Sequence, residues 1–331
     1  KYGIPFEETV PTSEELVQRN ERESLYIVLN HAKNYYQEIL HENEEGKSIG
    51  LSYFKERGFS EETIKKFELG YSLDAWEAFT KDALSKQYSL ELLEKSGLSI
   101  KRAETDNTKS SHYDRFRGRV IFPIHNVSGR VIAFGARILK TEKSQPKYIN
   151  SPETEVYHKS QILYGIAQAR NAIRNEDNCY LVEGYTDVIS LHQAGVENVV
   201  ASSGTSLTEE QIKLISRYSH NITVLYDGDN AGIKASLRGI DMILEAGLDV
   251  SVIKTKLFLE DAAQDPIKKA GIIKDIVESI AKIPDGIKRA VLFQQCSKLL
   301  QIDEQVLISE SNKIQISKNK KRLEEPPILP E

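Results

Sequence analysis

Two short acidic motifs in the sequence could bind a metal ion. Glu183-Gly184 follows the apolar run Cys179–Val182, and Asp227-Gly228-Asp229 follows the apolar run Ile222–Tyr226. Each motif therefore places carboxylates where a predicted strand ends and a helix is about to begin. Carboxylate oxygens from two strand ends can converge on a divalent cation, which is the ligand chemistry typical of phosphoryl transfer.

Each motif also has a simpler structural interpretation. Glu183 could be an acidic residue in the first turn of a helix, where it interacts favourably with the helix dipole. Asp227 and Asp229 could instead form an Asx turn and cap the helix after Asn230. The presence of both motifs on separate strands of one predicted sheet favours the metal-binding interpretation.

Strands and helices alternate between residues 178 and 254. Strands are predicted at Cys179–Val182, Val196–Ala201, Ile222–Tyr226 and Val250–Ile253, with helices at 185–194, from Ser206 or Thr208 to Tyr218, and from Ala231 to Ala246. This order predicts a parallel sheet with right-handed crossovers. Functional groups in such sheets gather beyond the carboxyl ends of the strands, where Glu183, Asp227 and Asp229 are expected.

The flanking sequence predicts further elements on both sides of this sheet. A long amphipathic helix through Leu25 and Tyr36 should end at Gly46 and Gly50, and two strands, Arg119–Ile124 and Arg130–Gly135, should be joined by a turn. The expected class is α/β, α+β overall. The expected divisions are a linker at 1–12, an N-terminal mixed α/β subdomain at 13–170, the parallel-sheet domain at 171–254, a helical subdomain at 255–316 and a linker tail at 317–331.

Basic residues are concentrated in the middle of an acidic chain. The formal net charge is −5, yet residues 112–170 contain ten Lys and Arg against four Asp and Glu. Such a distribution predicts a local groove for a polyanion, although a solvated basic face is the alternative. Arg115, Arg117 and Arg119 alternate, so we expect them to share one face of an extended stretch.

The acidic motifs and their surroundings resemble a known family. Glu183-Gly and Asp227-x-Asp229, 44 positions apart in a βαβαβ context, resemble the Toprim domain of topoisomerases, primases and some nucleases. Other segments resemble bacterial DnaG-type DNA primases, namely Phe54–Gly58, Leu69–Tyr71, Tyr113–Ile124, Gly135–Arg137, Pro146–Thr154, His158-Lys159, Leu163–Gly165 and Glu183–Val188. The resemblance covers most of residues 45–254.

The resemblance implies the RNA polymerase core of a primase, which makes short RNA primers on single-stranded DNA. Glu183, Asp227 and Asp229 would be the catalytic acids and would hold one to three Mg²⁺ or Mn²⁺ ions. Asp187 would not bind the metal directly but would hydrogen-bond around its ligands. The template and ribonucleoside triphosphates would be bound by Arg115, Arg117, Arg119, Arg137, Lys147, Tyr148 and Lys159. The product would be an RNA–DNA hybrid.

The sequence departs from the family pattern in three respects. It lacks the Cys/His zinc ribbon, so zinc is not expected in this fragment. We also expect the replicative helicase, like the zinc ribbon, to be contacted through missing flanking domains. The third acidic motif, an Asp-x-Asp after the strand that ends near Ile253, is absent, so we expect a chain break between Ile253 and Leu257.

Other functions remain open at this point. A topoisomerase needs a tyrosine nucleophile within large domains that are not visible, and a nuclease coupled to ATP needs a P-loop, which does not occur. The alternatives are a Toprim nuclease or topoisomerase fragment, or a non-catalytic nucleic-acid-binding scaffold.

The sequence also indicates where the protein works. No apolar run is long enough for a membrane span, and the two distant cysteines indicate a reducing cytoplasm.

Overall fold

The computed structural model describes residues 13–102, 111–140, 146–202, 206–225, 230–252 and 302–313, with scattered positions between 274 and 297. The chain divides into two compact units. The first unit comprises residues up to Gln168 and Ile189–Gly195, and the second comprises Ala169–Val188 and the residues from Val196 onwards. The predicted break between Ile253 and Leu257 lies outside the described residues.

Helices and strands alternate irregularly in the first half of the chain and regularly in the second. In chain order they are α1 (Ser13–Glu42), a π-helical segment (Gly46–Leu51), α2 (Ser52–Glu56), α3 (Glu61–Lys66), β1 (Gly70–Ser72), α4 (Ala78–Ser85), α5 (Leu90–Lys95), β2 (Ser99–Lys101), β3 (His112–Asp114), β4 (Arg119–His125), β5 (Val131–Ile138), β6 (Tyr148–Asn150), a 3-10 turn (Lys159–Gln161), α6 (Ile166–Glu176), β7 (Cys179–Val182), α7 (Tyr185–Gln193), β8 (Val199–Ala201), α8 (Glu209–Ser216), β9 (Asn221–Val224), α9 (Asn230–Glu245) and β10 (Asp249–Val252). Residues 304–313 are also helical.

The first unit is built on an antiparallel sheet with the order β1-β4-β5-β6. The two strands predicted around residues 119 and 130 are confirmed as β4 and β5, which pair with each other. Every residue of β4 is buried. β1 pairs only with Arg119–Ile121, so the pairing does not reach Pro123, the one residue of β4 that cannot donate a backbone hydrogen bond.

The sequence suggested that the first helix ends at Gly46 and Gly50, and this prediction was wrong. α1 ends at Glu42, and both glycines are buried within the π-helical segment that follows. A Cβ atom on Gly46 would lie 1.8 Å from the Ile39 carbonyl oxygen, and one on Gly50 would lie 2.9 Å from the side chains of Leu40 and Tyr71. These glycines are therefore required for close packing against α1 and β1, and they continue the helical path.

The second unit contains the predicted parallel sheet. Its strand order is β10-β9-β7-β8, and all three pairings are parallel, as expected from the β-α-β pattern. Thr208 caps α8. Its hydroxyl oxygen accepts a hydrogen bond from the Gln211 N–H, and the Gln211 side-chain oxygen accepts one from the Thr208 N–H. The overall class is therefore mixed α/β, as predicted.

Apolar residues from the C-terminal part of the second unit pack against α9. Leu244 of α9 packs in one buried cluster with Val277, Ile280, Phe293 and Leu307. Among the described helices, none is both long and apolar enough to cross a membrane.

A partly buried ion pair stabilises the turn between α3 and β1. Glu68 has a φ of +53°, a left-handed conformation that usually favours glycine at a helix end. Its carboxylate accepts a hydrogen bond from Lys33 Nζ at 2.6 Å and pairs with His125 Nε2 at 2.6 Å. Burial raises the pKa of Glu68, but the bonds to His125 and Lys33 outweigh burial and hold its net pKa below the ordinary value.

We predict that Glu68→Gln lowers the free energy of unfolding by about 1–3 kcal/mol at neutral pH, because it removes an ionised hydrogen-bond acceptor from the partly buried Lys33 and the buried His125. A carboxyl group with a lowered folded-state pKa stabilises the fold above its unfolded-state pKa and loses that effect as the pH falls through the folded-state value. The difference between the two proteins should therefore shrink below about pH 4. Urea unfolding at a series of pH values measures it, and a difference independent of pH would contradict the assignment.

Candidate active site

Glu183 lies immediately after Val182, the last residue of β7, and its side chain is half-buried. β7 pairs in parallel with β9, and the Leu225 N–H, one residue beyond β9, donates to the Leu181 carbonyl at 2.8 Å. The carboxyl ends of these two strands are therefore side by side. Asp227 and Asp229 follow Leu225 by two and four residues in sequence, and both lie outside the described residues.

Asp187 holds the turn that follows Glu183. Its Oδ2 accepts a hydrogen bond from the Gly184 N–H at 3.1 Å, at the start of α7. Within the described ranges there is no group of three or more His, Cys, Asp or Glu side chains that could hold a metal ion. The donors at this strand end are carboxylate oxygens, which suit a hard cation such as Mg²⁺ or Mn²⁺.

The three alternating arginines do not share a face, contrary to the expectation from sequence. β3 ends at Asp114, and residues 115–118 form a turn in which Gly118 has a φ of +65°. Arg115 Nε donates to the Gly97 carbonyl at 2.7 Å, whereas Arg117 Nε lies 3.3 Å from Asp74 Oδ1. A turn rotates successive side chains away from the period-two alternation of an extended strand.

Arg119 is the most buried of these arginines, with 3 % of its surface exposed. Its Nη1 donates to the backbone carbonyls of Pro146 and Lys147 at 3.1 and 3.5 Å. These contacts attach β4 to the segment that leads into β6. The guanidinium of Arg119 therefore supports the strand that carries Tyr148.

Two predicted residues, Arg137 and Tyr148, are brought together by the antiparallel pairing of β5 with β6. The Arg137 guanidinium lies 5.5 Å from the centre of the Tyr148 ring and 4.9 Å from that of Tyr53, whose hydroxyl accepts a hydrogen bond from Arg137 Nη1. Arg57, one helical turn after Tyr53, lies 5.2 Å from the same ring. We call Tyr53, Arg57, Arg137 and Tyr148 the aromatic–arginine cluster.

The cluster keeps positive charge close to exposed aromatic surface. Tyr148 is 38 % exposed. The Nε of Arg137 is buried and has no hydrogen-bond partner within the described part of the chain. Burial raises the pKa of the Tyr53 hydroxyl, and the neighbouring Arg137 reduces that rise. Tyr53 is therefore a neutral acceptor at physiological pH, and it leaves the arginine charges available to an anion.

The remaining predicted residues, Lys147 and Lys159, occupy separate positions. The side chain of Lys147 is exposed, and its carbonyl accepts from the Ile138 N–H at 3.0 Å. Lys159 begins a 3-10 turn, and its N–H donates to Glu153 Oε1 at 3.1 Å.

Sequence reasoning missed Tyr53 and Arg57 as members of the cluster. Their spacing of four residues on a helix was an available signal, because side chains at that spacing lie on the same helix face. The contact of Tyr53 with Arg137 joins residues 84 positions apart in sequence and could not be read from local pattern.

Known family models match three parts of the chain. A model of the N-terminal domain of the DNA primase catalytic core matches residues 35–170, a Toprim-like model matches residues 180–265, and a model of the DnaB-helicase binding domain of primase matches residues 262–305. The third match corrects the expectation that the helicase would be contacted only through missing flanking domains, because the matching segment lies inside this chain.

Relatives and solved structures are similar over most of the chain. The DNA primase of Halalkalibacterium halodurans is 42 % identical over 235 residues, which are 71 % of this chain and 38 % of that protein. A DNA primase domain from Pseudomonas aeruginosa is 31 % identical with a TM-score of 0.68, covering 87 % of this chain and 99 % of that one. A DnaG primase catalytic domain bound to single-stranded DNA is 29 % identical, with the same TM-score and coverage. The chain thus spans less than half the length of the curated relative.

We predict that Arg119→Met lowers the free energy of unfolding by about 1–3 kcal/mol, because two backbone carbonyls lose a charged donor inside the fold. Arg117→Met is the matched control, since it removes the same charge from a half-buried side chain two residues away. Denaturant titrations of both variants measure the difference. A stability of Arg119→Met equal to that of the parent protein would show that Arg119 has no such structural role.

Proposed function

Since the chain belongs to the family of bacterial DnaG-type DNA primases, we propose that it is a core that copies single-stranded DNA into short RNA primers by nucleotidyl transfer. The matches to primase models and relatives favour this function over a Toprim nuclease, a topoisomerase fragment or a non-catalytic scaffold. We further propose the domain divisions predicted above, with the Toprim domain at 171–254.

The observation that carries the proposal is the alignment of β7 with β9. Glu183 directly follows β7, and the segment that contains Asp227 and Asp229 directly follows Leu225, which is hydrogen-bonded to Leu181. Two strand ends that lie side by side can supply acids from both segments to one place. We therefore propose Glu183, Asp227 and Asp229 as the catalytic acids.

Divalent metal use is general among Toprim and primase proteins, and we propose that these three acids hold one to three Mg²⁺ or Mn²⁺ ions. A bound ion would supply charge stabilisation at the triphosphate. Glu183 is the best placed residue to accept the proton of the primer 3′-hydroxyl, because its carboxylate is half-buried at the strand end. Asp187 fixes the turn that orients Glu183 through its bond to Gly184.

We propose that the template strand and the incoming ribonucleoside triphosphates contact the basic residues of the first unit. The Arg137 guanidinium lies beside the exposed ring of Tyr148, and Arg can bind phosphate in a bidentate manner. Tyr148 could stack on a base or sugar, with Lys147 and Lys159 as point charges. The contacts of Arg115 and Arg119 with backbone carbonyls favour a supporting role for these two, whereas Arg117 keeps a half-exposed guanidinium.

The partners follow from the proposed reaction. We propose that the product is an RNA–DNA hybrid, that residues 262–305 contribute to binding of a replicative helicase, and that a zinc ribbon acts from a flanking segment. We propose a cytoplasmic location, because bacterial replication proteins act in the cytoplasm.

We predict that Glu183→Gln, Asp227→Asn and Asp229→Asn each reduce RNA synthesis by about 100-fold or more, since losing one charge-stabilising group typically costs this much. The unfolding midpoint should stay unchanged, because each substitution keeps the size of the side chain and removes only its charge. Incorporation of labelled ribonucleotides on a single-stranded template measures the effect, with Glu209→Gln at an exposed position of α8 as the control. Near-normal synthesis by all three variants at matched metal concentration would rule out the assignment.

We also predict that Arg137→Gln weakens binding of single-stranded DNA and lowers the slope of log K against log salt by about 0.7 for each phosphate that the protein no longer neutralises. Arg130→Gln is the matched control, because Arg130 lies in the same unit but pairs with both carboxylate oxygens of Glu23 at 2.8 and 2.9 Å. Fluorescence anisotropy at several salt concentrations measures both slopes. An identical slope for the two variants would count against a role of Arg137 in phosphate binding.

A further inference from the structure

The helix that follows Glu183 is short and is held at both ends. α7 spans Tyr185–Gln193, and isolated helices of fewer than about 12 residues are only marginally stable in water. At its first turn, Asp187 Oδ2 accepts a hydrogen bond from the Gly184 N–H at 3.1 Å, directly after Glu183. At its other end, the side chain of Gln193 bonds to the turn that joins α2 to α3. The contacts at the two ends therefore decide how the helix is oriented.

The Gln193 amide makes a two-sided contact with this turn. Its Nε2 donates to the Gly58 carbonyl at 2.8 Å, and its Oε1 accepts from the Ser60 N–H at 2.8 Å. A reversed amide would place its NH₂ group against the Ser60 N–H and its oxygen against the Gly58 carbonyl, so the contact forms in one orientation only. We call Gln193, Gly58 and Ser60 the Gln193 clasp. All three residues belong to the first unit, which includes Ile189–Gly195.

The turn that receives Gln193 is itself anchored. Phe59, between the two bonded residues, is 4 % exposed, and its ring stacks on that of Phe54 of α2 with 6.2 Å between centroids. The Phe59 N–H also donates to the Phe54 carbonyl at 3.0 Å. The Ser60 hydroxyl accepts from the Thr63 N–H at 3.1 Å and so caps α3. Gln193 thus bonds to a fixed point of the first unit.

Stability of the fold does not account for the clasp. All of its members are exposed, so water can satisfy its backbone groups when the glutamine side chain is removed. The end of α7 also has its own backbone closure, because the Gly195 N–H donates to the His192 carbonyl and Gly195 has a φ of +92°. What the clasp adds is orientation. A tilt or rotation of the helix at Gln193 is carried to Asp187, about 9 Å away along the helix axis.

We propose that Gln193 is a positioning residue for Glu183. By fixing the far end of α7, the clasp sets the orientation of the first helical turn, where the bond between Asp187 and Gly184 shapes the backbone that carries the Glu183 side chain. This role rests on the proposed function, because it takes Glu183 as a catalytic acid. Gln193 lies outside both the acidic motifs and the predicted basic residues, and it acts through α7 without touching metal, template or nucleotide.

Steady-state RNA synthesis by the full chain on a single-stranded template tests this role. Gln193→Met keeps the length of the side chain and removes both hydrogen bonds. It should lower kcat about tenfold, because small misplacements of a catalytic group are costly, and should leave the KM for ribonucleoside triphosphates within about twofold. The unfolding midpoint should not change. Gln87→Met is the matched control, because it makes the same change at another exposed glutamine, and its kcat should equal that of the parent protein.

A double-mutant cycle tests whether Gln193 acts through Glu183. In a Glu183→Gln background, Gln193→Met should lower the residual rate by less than about twofold, because the carboxylate whose position the clasp sets is gone. Three results would overturn the role of Gln193 and leave the proposed function intact: an undiminished loss in that background, a kcat of Gln193→Met equal to that of the parent protein, or a loss accompanied by a lower unfolding midpoint. Absence of RNA synthesis by the parent protein would overturn both.

Discussion

The parallel pairing of β7 with β9 is the constraint on which the proposed active site depends. Both strands are short, and consecutive residues on them are buried, so both faces of the sheet are covered and a shift in register would disrupt packing on both faces. The native register brings Leu225 against Leu181 and makes both strands end at one level. The acid after β7 and the acidic segment after β9 therefore start from neighbouring points.

The basic residues of the first unit divide between structural and ligand-facing roles. Arg119 is buried against backbone carbonyls, and Arg115 binds the carbonyl of Gly97, so both guanidiniums are used within the fold. Arg137 and Arg57 instead lie beside tyrosine rings near exposed surface. A count of positive charge along the sequence therefore overstates the number of arginines available to a polyanion.

Asp114 shows how one buried acid can organise a surface. Its carboxylate caps α4 across a gap of about 35 residues, and its own N–H fixes the carbonyl of Trp76. The charge is tolerated in the interior because Thr80 and two backbone N–H groups donate to it. Folding of this corner and presentation of the exposed indole are thus consequences of the same hydrogen bonds.

The sequence by itself determined the alternating strands and helices of residues 178–252, because buried strands read as continuous apolar runs and helices carry local caps such as Thr208. It also determined that Glu183 follows a strand and that β4 and β5 form a hairpin. Only the tertiary structure decided the roles of Arg115, Arg117 and Arg119, since each guanidinium finds its partner in a different and distant segment. The contacts of Arg137 with Tyr53 and Tyr148 were likewise inaccessible to local pattern. These contacts arise because strand pairing and packing bring together residues that are far apart in the chain. The periodicity of apolar residues predicts local helices and strands, but it does not predict such long-range contacts.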